Sequence, residues 1–345
     1  MIKTYEYCVV GCAFDIAPIL AHVALVSCTE TDVLPIPECI PYQGEWGKNE
    51  TAFLLEESYH MLPKGIHIIY LSLVEHKFYI INEALPIEKI KEMWVNSRFN
   101  KIIVGMAPYG NVAVWLSSPQ KSLLVSWLYG REISIDMKSF LPNNPNVRLE
   151  HLCQQFINDN SIAKAYHERY GIPSHKLFEG YMKQFSYKYL LLFEYWNKDK
   201  NIWMKYNQEE ESVYAFKYME DSCYDGTHDK LHDGGLLKYH QAGKPKKLAI
   251  KWHIGKSEYS AYFWFEEEPI REVFDKFYGA HPDTKTDFII RIDAENRKYE
   301  LALYRYGLKE PQIIPENVYQ LLVFKNKFED YRSDNYNQER GAWIW

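Results

Sequence analysis

Residues 62–94 read LPKGIHIIYLSLVEHKFYIINEALPIEKIKEMW, and residues 244–277 read KPKKLAIKWHIGKSEYSAYFWFEEEPIREVFDKF. The second stretch is a loose copy of the first. Both contain a proline-led apolar strand, an aromatic strand and a helix that starts at a proline, Pro86 in one copy and Pro269 in the other. The repeated positions are apolar residues that build a sheet and cover it, so the repeat predicts architecture rather than chemistry.

Each copy predicts the same series of elements. Ile66 and Ile68 alternate with less apolar neighbours, which is typical of a strand, and Pro86 suits the first turn of a helix. Apolar strand pairs follow at 101–116 and at 287–304. We therefore expect an α+β fold of two related β-β-α-β-β halves, with antiparallel sheets that are each covered by a helix.

A helical insert is expected between the two copies. Apolar spacing predicts a helix or a helical pair at 147–170 and a short helix at 174–184. The chain length allows two domains, or one large domain made of two halves. We predict a possible signal segment and linker at 1–45, a first half with the insert at 46–190, and a second half at 191–345.

The composition favours a β-rich protein without general affinity for nucleic acids. Aromatic residues make up 16% of the chain, with 28 Tyr, 17 Phe and 10 Trp, and they favour pleated, half-buried surfaces. The net charge of −6 lacks the basic excess that binding to phosphate backbones requires. Exposed Trp and Tyr could also form a surface that binds glycans or protein.

The N-terminal sequence allows two interpretations. Residues 16–28, IAPILAHVALVSC, end in Leu-Val-Ser-Cys, which is similar to a bacterial lipoprotein processing site with Cys28 as the lipidated residue. Pro18 inside the apolar core and the acidic residues before it favour the alternative, a buried N-terminal segment of the mature protein. No apolar run reaches the length of about 20 residues that a membrane-spanning helix needs.

The densest polar cluster offers weak candidates for metal ligands. His228 and His232 stand four residues apart, as do Asp229 and Asp233, and such pairs would share a face if the segment were helical. Glycines bracket the segment, and the glutamate of an HExxH motif is missing. A surface loop is the alternative interpretation, and nothing else in the sequence indicates a cofactor.

The sequence contains no recognisable nucleophile motif. GxSxG is absent, and no glycine-rich phosphate loop occurs. Cys153 lies on the apolar face of a predicted helix, and His151 would point in another direction, so we expect a core cysteine rather than a catalytic dyad. Catalytic residues are therefore not predicted.

Several motifs of the first copy resemble the DUF2931 family, which is named for a domain of unknown function. They are a Ser-x-x-Glu-x-x-x-Tyr stretch, a Leu-Pro helix start, and a Val-Gly-x-Ala-Pro-x-Gly turn that leads to a Val-Trp-Leu strand. The corresponding residues here are Ser72, Glu75, Tyr79, Leu85, Pro86, Val104, Gly105, Ala107, Pro108, Gly110, Val114, Trp115 and Leu116. The second copy and the C-terminal Gly-Ala-Trp are similar to the family as well, so the resemblance covers roughly residues 50–345.

The resemblance implies a bacterial protein, often a lipoprotein, without established catalytic residues. Some members are similar in general character to immunity proteins that protect the cell envelope against toxins. We therefore expect an envelope binding protein, with toxin neutralisation as one expected role, whose partner is a toxin or envelope component and whose only membrane contact is a lipid anchor. The alternatives are a cytoplasmic location, a metal-dependent hydrolase that uses His228 and His232, and a glycan-binding protein.

Overall fold

The computed structural model describes residues 3–37, 41–42, 44–48, 58–95, 99–205, 217–229, 238–254, 257–279, 281–293, 298–327 and 339–340. The fold is mixed α+β with more strand than helix, which confirms the predicted class. The chain divides into two compact units. Unit 1 comprises residues 1–182 and 225–227, and unit 2 comprises residues 183–224 and 228–345.

Unit 1 contains eleven of the described strands and five of the described helices. The strands are β1 (Tyr5–Cys12), β2 (Ile19–Ser27), β3 (Val33–Pro35), β4 (Pro41–Tyr42), β5 (Ser58–His60), β6 (Gly65–Ser72), β7 (Lys77–Ala84), β8 (Lys101–Met106), β9 (Asn111–Ser117), β10 (Lys121–Tyr129) and β11 (Arg131–Ile133). The helices are α1 (Ile87–Val95), α2 (Met137–Phe140), α3 (Leu149–Asp159), α4 (Ser161–Tyr170) and α5 (His175–Met182).

The strands of unit 1 form two sets. One set has the order β10-β9-β8-β1-β5, and the other has the order β11-β7-β6-β2-β3, with β4 also paired to β2. The predicted hairpins are present as β6–β7 and β8–β9. They lie in different sets, however, and β1 runs parallel to β8. The expectation of purely antiparallel sheets is therefore wrong, because a strand that was not predicted enters beside the second hairpin.

Helix α1 forms where the proline-led pattern predicts it. The Ile90 N–H donates to the carbonyl of Pro86, so the proline occupies a position whose missing N–H costs nothing. Ile90 and Trp94 are buried on one face of the helix. Burial of each of these side chains stabilises unit 1 by about 1.5–3 kcal/mol.

The predicted helical insert is present as α3, α4 and α5. The predicted helical pair separates at Asn160, whose side chain accepts hydrogen bonds from the N–H groups of Ile162 and Ala163. This cap satisfies two of the donors that a helix start leaves without partners. None of the helices in the described ranges is long and apolar enough to cross a membrane.

Unit 2 contains the remaining elements. The strands are β12 (Phe185–Asn197), β13 (Ile202–Lys205), β14 (Lys217–Cys223), β15 (His228–Asp229), β16 (His240–Ala242), β17 (Pro245–Ile254), β18 (Ser257–Phe265), β19 (Thr286–Asp293), β20 (Tyr299–Tyr304), β21 (Gln312–Ile314), β22 (Tyr319–Lys327) and β23 (Glu339–Arg340). Helix α6 spans Glu267–Tyr278, and a short 3₁₀ helix spans Glu316–Val318.

The strands of unit 2 also form two sets. Their orders are β23-β22-β18-β17-β14-β15 and β13-β12-β19-β20-β21, with β16 also paired to β12. Here too one pair, β12 with β19, is parallel. Ile270 and Phe274 of α6 are fully buried and belong to the same core cluster as Phe288 of β19. Helix α6 begins two residues before the predicted start, because Pro269 fits within the first turn.

Candidate functional site

Glu75 of the Ser-x-x-Glu-x-x-x-Tyr motif, called the polar motif below, links two turns of unit 1. Glu75 lies in the turn between β6 and β7, and one of its carboxylate oxygens accepts a hydrogen bond of 2.8 Å from the Tyr79 hydroxyl. The other oxygen accepts a hydrogen bond of 2.7 Å from the backbone N–H of Tyr109, in the turn between β8 and β9. Both oxygens of this half-buried carboxylate therefore accept hydrogen bonds from residues of unit 1.

The surroundings of Glu75 keep both phenols neutral. Burial, and next the Glu75 carboxylate, raise the pKa of Tyr109 above its usual value. Burial also raises the pKa of Tyr79, and the next causes are its hydrogen bond to Glu75 and the negative charge of the Glu75 carboxylate. Neither phenol is therefore poised to act as a base at neutral pH.

Tyr109 adopts a backbone conformation that non-glycine residues seldom adopt. Its φ is 62°, in the left-handed region, and His76 in the neighbouring turn has a φ of 57°. The hydroxyl of Tyr109 donates to the Pro173 carbonyl at 2.9 Å, and its ring makes an edge contact with the ring of His175. These contacts fix the turn between β8 and β9 in its strained conformation.

The tryptophan of the Val-Trp-Leu strand has a second structural role. Trp115 is fully buried, and its indole N–H donates to the Asp225 carbonyl at 3.1 Å. A Cβ atom at Gly105 would lie 2.7 Å from the rings of both Trp115 and Trp46. Gly105 is therefore required because two indole rings pack directly on its backbone.

The comparison with protein families gives a match to part of the chain. A family model described as "Protein of unknown function (DUF2931)" matches residues 21–175. This part of the chain belongs to the DUF2931 family. No curated protein and no solved structure matches the chain. The DUF2931 match starts earlier than the resemblance predicted, within β2, and ends at the first residue of α5, so it includes the motif residues and helices α3 and α4 but not the rest of α5 or the second copy.

The structure places the predicted lipidation residue inside the DUF2931 part. Cys28 is fully buried directly after β2, and its Sγ lies 3.1 Å from the hydroxyl of Tyr7 on β1. Burial raises the pKa of the Cys28 thiol. Within residues 16–28, Ile19–Ser27 form β2, and lipidation of Cys28 stays a prediction. Lipidation of Cys28 requires processing of a chain in which this strand is not folded.

The predicted metal ligands are only partly within the described ranges. His228 and Asp229 lie in the short strand β15, which pairs with β14, so the helical arrangement assumed for His228 is wrong. Gly226, just before the segment, disfavours helix there. His232 and Asp233 lie outside the described residues. Among the described residues no group of three potential ligands could hold a metal ion, and metal binding stays a prediction.

The prediction of a core cysteine is confirmed for Cys153. Its side chain is fully buried on α3, and burial raises the pKa of its thiol to about 12. Cys12 is similarly buried, and its pKa is also raised to about 12 by burial. Neither thiol is a nucleophile at neutral pH, because the thiolate is the reactive form.

A groove in unit 2 was not predicted from the sequence. It lies between α6 and the segment from β21 to the 3₁₀ helix, with a volume of about 410 Å³. Its wall on α6 consists of four residues at helical spacing, and its other wall consists of five residues. These residues are Pro269, Glu272, Val273 and Lys276, and then Gln312, Ile313, Pro315, Asn317 and Val318.

The groove combines an apolar floor with a charged rim. Pro269 and Val273 are half-buried, and 46% of Ile313 is exposed. Glu272 and Lys276 are exposed on the rim, one helical turn apart. Strand β21 is the last strand of its set, and on its outer side no described strand pairs with it. The short apolar run between Pro311 and Pro315 was the only sequence signal for this edge.

Proposed function

We propose that this protein is a binding protein that takes an extended segment of a partner protein into the groove beside β21. The single observation that carries the proposal is the combination of an edge strand with a groove of about 410 Å³ along its side, lined by both apolar and polar residues. Volumes of this order are typical of ligand pockets. An extended peptide that adds a strand to a sheet edge is a recurring mode of peptide recognition.

The residues of the groove specify the chemistry of the partner segment. Unpaired backbone groups of an edge strand bind the backbone of an added strand. Val273 and Ile313 provide an apolar floor for one or two aliphatic or aromatic side chains. Glu272 and Lys276 complement a segment with one basic and one acidic residue beside its apolar residues.

The partner class and location follow the family resemblance. We propose a toxin or an envelope component as the partner and the cell envelope as the location. The proposed location does not depend on an anchor at Cys28, since the folded chain buries that thiol. Neutralisation then results from occupation of the toxin's segment rather than from chemistry.

Selection of displayed peptides tests the binding function. A random peptide library is selected on the full-length protein, and enriched peptides are measured against two variants. Ile313→Glu places a charge in the groove and is expected to weaken binding at least about tenfold, because a buried unpaired charge is costly. Ile202→Glu is the matched control, since Ile202 is 48% exposed on β13, at the opposite end of the same set of strands.

The outcomes distinguish the proposal from general stickiness. Enrichment of extended apolar peptides that bind the wild type and Ile202→Glu equally, and Ile313→Glu weakly, supports it. Enriched peptides that bind both variants equally well, or a library without any enriched sequence, contradict it.

Glycan binding is a second candidate with its own observation. Tyr262 and Trp264 occupy neighbouring same-face positions on β18, with ring centroids 5.8 Å apart and an angle of 18° between the ring planes. Trp264 is 37% exposed, which leaves part of an indole face open to stack on a sugar ring. Glycan-array hits that disappear in Trp264→Ala would favour this function over peptide binding.

The metal-dependent hydrolase stays the third candidate. It uses His228, His232, Asp229 and Asp233. Elemental analysis of the purified protein, together with thermal unfolding in added Zn²⁺ or Mn²⁺, decides it. A bound metal with a stoichiometry near one that is lost in His228→Ala supports it, and no metal with unchanged stability removes it.

We also infer that the two units are two versions of one β-β-α-β-β plan. The support is the order of their strands. In unit 1, β8 lies between β1 and β9, and β6 lies between β2 and β7. In unit 2, β19 lies between β12 and β20, and β17 lies between β14 and β18. Superposition of the two units in an experimental structure tests this inference, and a different path of α1 and α6 between their hairpins would contradict it.

A further inference from the structure

Three polar side chains of unit 1 form a chain of hydrogen bonds at the surface. The Nε2 atom of His60 lies 2.5 Å from the Oγ atom of Ser58. The Nδ1 atom of the same ring lies 2.9 Å from an Oδ1 atom of Asp32. No sequence motif indicated this arrangement, because Asp32 is separated from His60 by 28 positions.

Local structure explains why these side chains meet. Ser58 and His60 are alternate residues of β5, so they point to the same side of the strand. Strand β5 is held by β1, with Tyr7 opposite Ser58 and Tyr5 opposite His60. The ring of Tyr7 makes an edge contact with the His60 ring, with centroids 5.6 Å apart.

Asp32 is positioned independently by the loop that joins β2 to β3. Its carbonyl accepts hydrogen bonds from the N–H groups of Cys28 and Thr29, at 2.8 and 3.2 Å. Its own N–H donates to the Thr29 hydroxyl at 2.8 Å. The loop therefore holds the carboxylate before any substrate binds, which is the preorganisation that a catalytic arrangement needs.

The hydrogen bonds assign the protons of the neutral imidazole. A carboxylate only accepts, so Nδ1 of His60 donates to Asp32. Nε2 is then the acceptor, and the Ser58 hydroxyl donates to it. A serine whose proton points to a histidine that a carboxylate orients is the general arrangement of an activated serine nucleophile.

The nucleophile is open to substrate. Ser58 is exposed, whereas the side chains of His60 and Asp32 are 16% and 32% exposed. The serine is therefore exposed, while its base and the carboxylate partner of the base are partly buried. Burial of the base limits its contact with water and strengthens its bond to the carboxylate.

We propose that Ser58 is the nucleophile of an acyl-transfer reaction on small carboxylic esters, with His60 as general base and Asp32 as a positioning residue. Esters are the expected class because an alkoxide leaves more readily than an amide nitrogen. This activity is separate from peptide binding in unit 2, so either proposal can fail without the other.

The reaction balances without a further reagent. Ser58 Oγ attacks the ester carbon as its proton passes to His60 Nε2, and the carbonyl oxygen takes the negative charge. The C–O bond to the alcohol then breaks as His60 returns the proton to the leaving oxygen. Water, deprotonated by His60, attacks the acyl-serine in the same way, which releases the carboxylic acid and restores Ser58 with its proton.

Covalent labelling of the full-length protein tests the nucleophile. The protein is treated with a fluorophosphonate probe, and the labelled residue is located by mass spectrometry. We expect the adduct on Ser58, and its loss in Ser58→Ala. Ser139→Ala is the matched control, because Ser139 is an exposed serine on α2, and its labelling and 4-nitrophenyl acetate hydrolysis are expected to equal those of the wild type.

Two further variants separate catalysis from structure. His60→Gln retains a donor toward Asp32 but removes the base, and it is expected to slow labelling of Ser58 by about 10²-fold or more. Asp32→Asn is expected to slow labelling by about tenfold and to alter its pH profile, since Asp32 and Tyr7 are the titratable groups that contact His60. Circular dichroism and thermal unfolding check that each variant is folded.

Labelling by the fluorophosphonate probe can also overturn the proposal. A wild-type protein without an adduct on Ser58, or labelling of Ser58 at an equal rate in His60→Gln, shows that the three residues only connect β5 to the loop before β3. As a second measurement, Ser58→Cys is treated with iodoacetamide. Alkylation that is no faster than in the double variant Ser58→Cys with His60→Gln also counts against an activating histidine.

Discussion

The carboxylate of Glu75 accepts a hydrogen bond of 2.7 Å from the backbone N–H of Tyr109, across 34 positions of the chain. This bond connects the turn of one hairpin to the turn of the next, and the two hairpins belong to different sets of strands. The polar motif of the DUF2931 part thus stabilises architecture. Chemistry in this protein has to be sought away from Glu75.

Glu75→Ala is expected to lower the free energy of unfolding by about 1–3 kcal/mol, because it leaves the Tyr109 N–H and the Tyr79 hydroxyl without their acceptor. Urea unfolding measures the effect. Glu132→Ala is the control, since the Glu132 carboxylate pairs with Lys77 at the exposed surface, and little change is expected there. Equal effects of the two substitutions would contradict a structural role for Glu75.

Gly105→Ala is expected to destabilise unit 1 by about 1–3 kcal/mol, because the new Cβ atom overlaps two indole rings. The tryptophan fluorescence and the near-ultraviolet circular dichroism should change as well, since Trp46 and Trp115 must move. Gly171→Ala provides the comparison. Its φ of 77° makes alanine strained, but nothing lies within 4 Å, so its tryptophan signals should remain those of the wild type. If the fluorescence and circular dichroism of Gly105→Ala equalled those of the wild type, the two indole rings would not pack against Gly105 as tightly as the structure indicates.

Lys244 should make a contribution to the free energy of unfolding that rises with pH between about 8 and 10.5. Burial lowers the pKa of this lysine from 10.5 to about 8, against the opposing effect of Asp275. In this window the unfolded chain holds the proton that the folded chain has released, so the free energy of unfolding gains up to about 1.4 kcal/mol per pH unit. Below pH 8 the lysine is charged in both states, and its burial cost is constant.

Lys244→Met removes this titration. Urea unfolding at several pH values should therefore give a slope in this window that is less positive for the variant than for the wild type. Parallel curves for the two proteins would mean that the ammonium group of Lys244 reaches water in the folded state.

A chain that starts at Cys28 is expected not to fold. It lacks β1 and β2, and with them the partners of β5, β6 and β8. Purified protein of this length should show no cooperative thermal transition. A folded, cooperative protein would instead support processing at Cys28 and strengthen the proposal of a lipid anchor.

Local sequence patterns predicted much of the secondary structure. The hairpins β6–β7 and β17–β18, together with α1 and α6, lie where strand alternation and proline-led helical spacing predicted them. These features depend on residues close in sequence. The pattern of the N-terminal strands is ambiguous, because the apolar residues of β2 fit both a buried strand and the apolar core of a signal segment.

The hydrogen-bonded Ser58, His60 and Asp32 and the groove beside β21 were not predicted, for a different reason. His60 and Asp32 meet only because β5 pairs with β1 and the loop after β2 closes on Asp32. The groove exists only because β21 ends its set of strands beside α6. Neither arrangement leaves a periodic signal in a single sequence.

The sequence by itself determined the hairpins β6–β7 and β17–β18 and the helices α1 and α6. Apolar period and proline position are local properties, and they specify those features directly. Only the tertiary structure decided which turn Glu75 holds, that Cys28 is buried, and that Ser58, His60 and Asp32 form one chain of hydrogen bonds. These contacts depend on strand register and loop closure between distant residues, which no local pattern encodes.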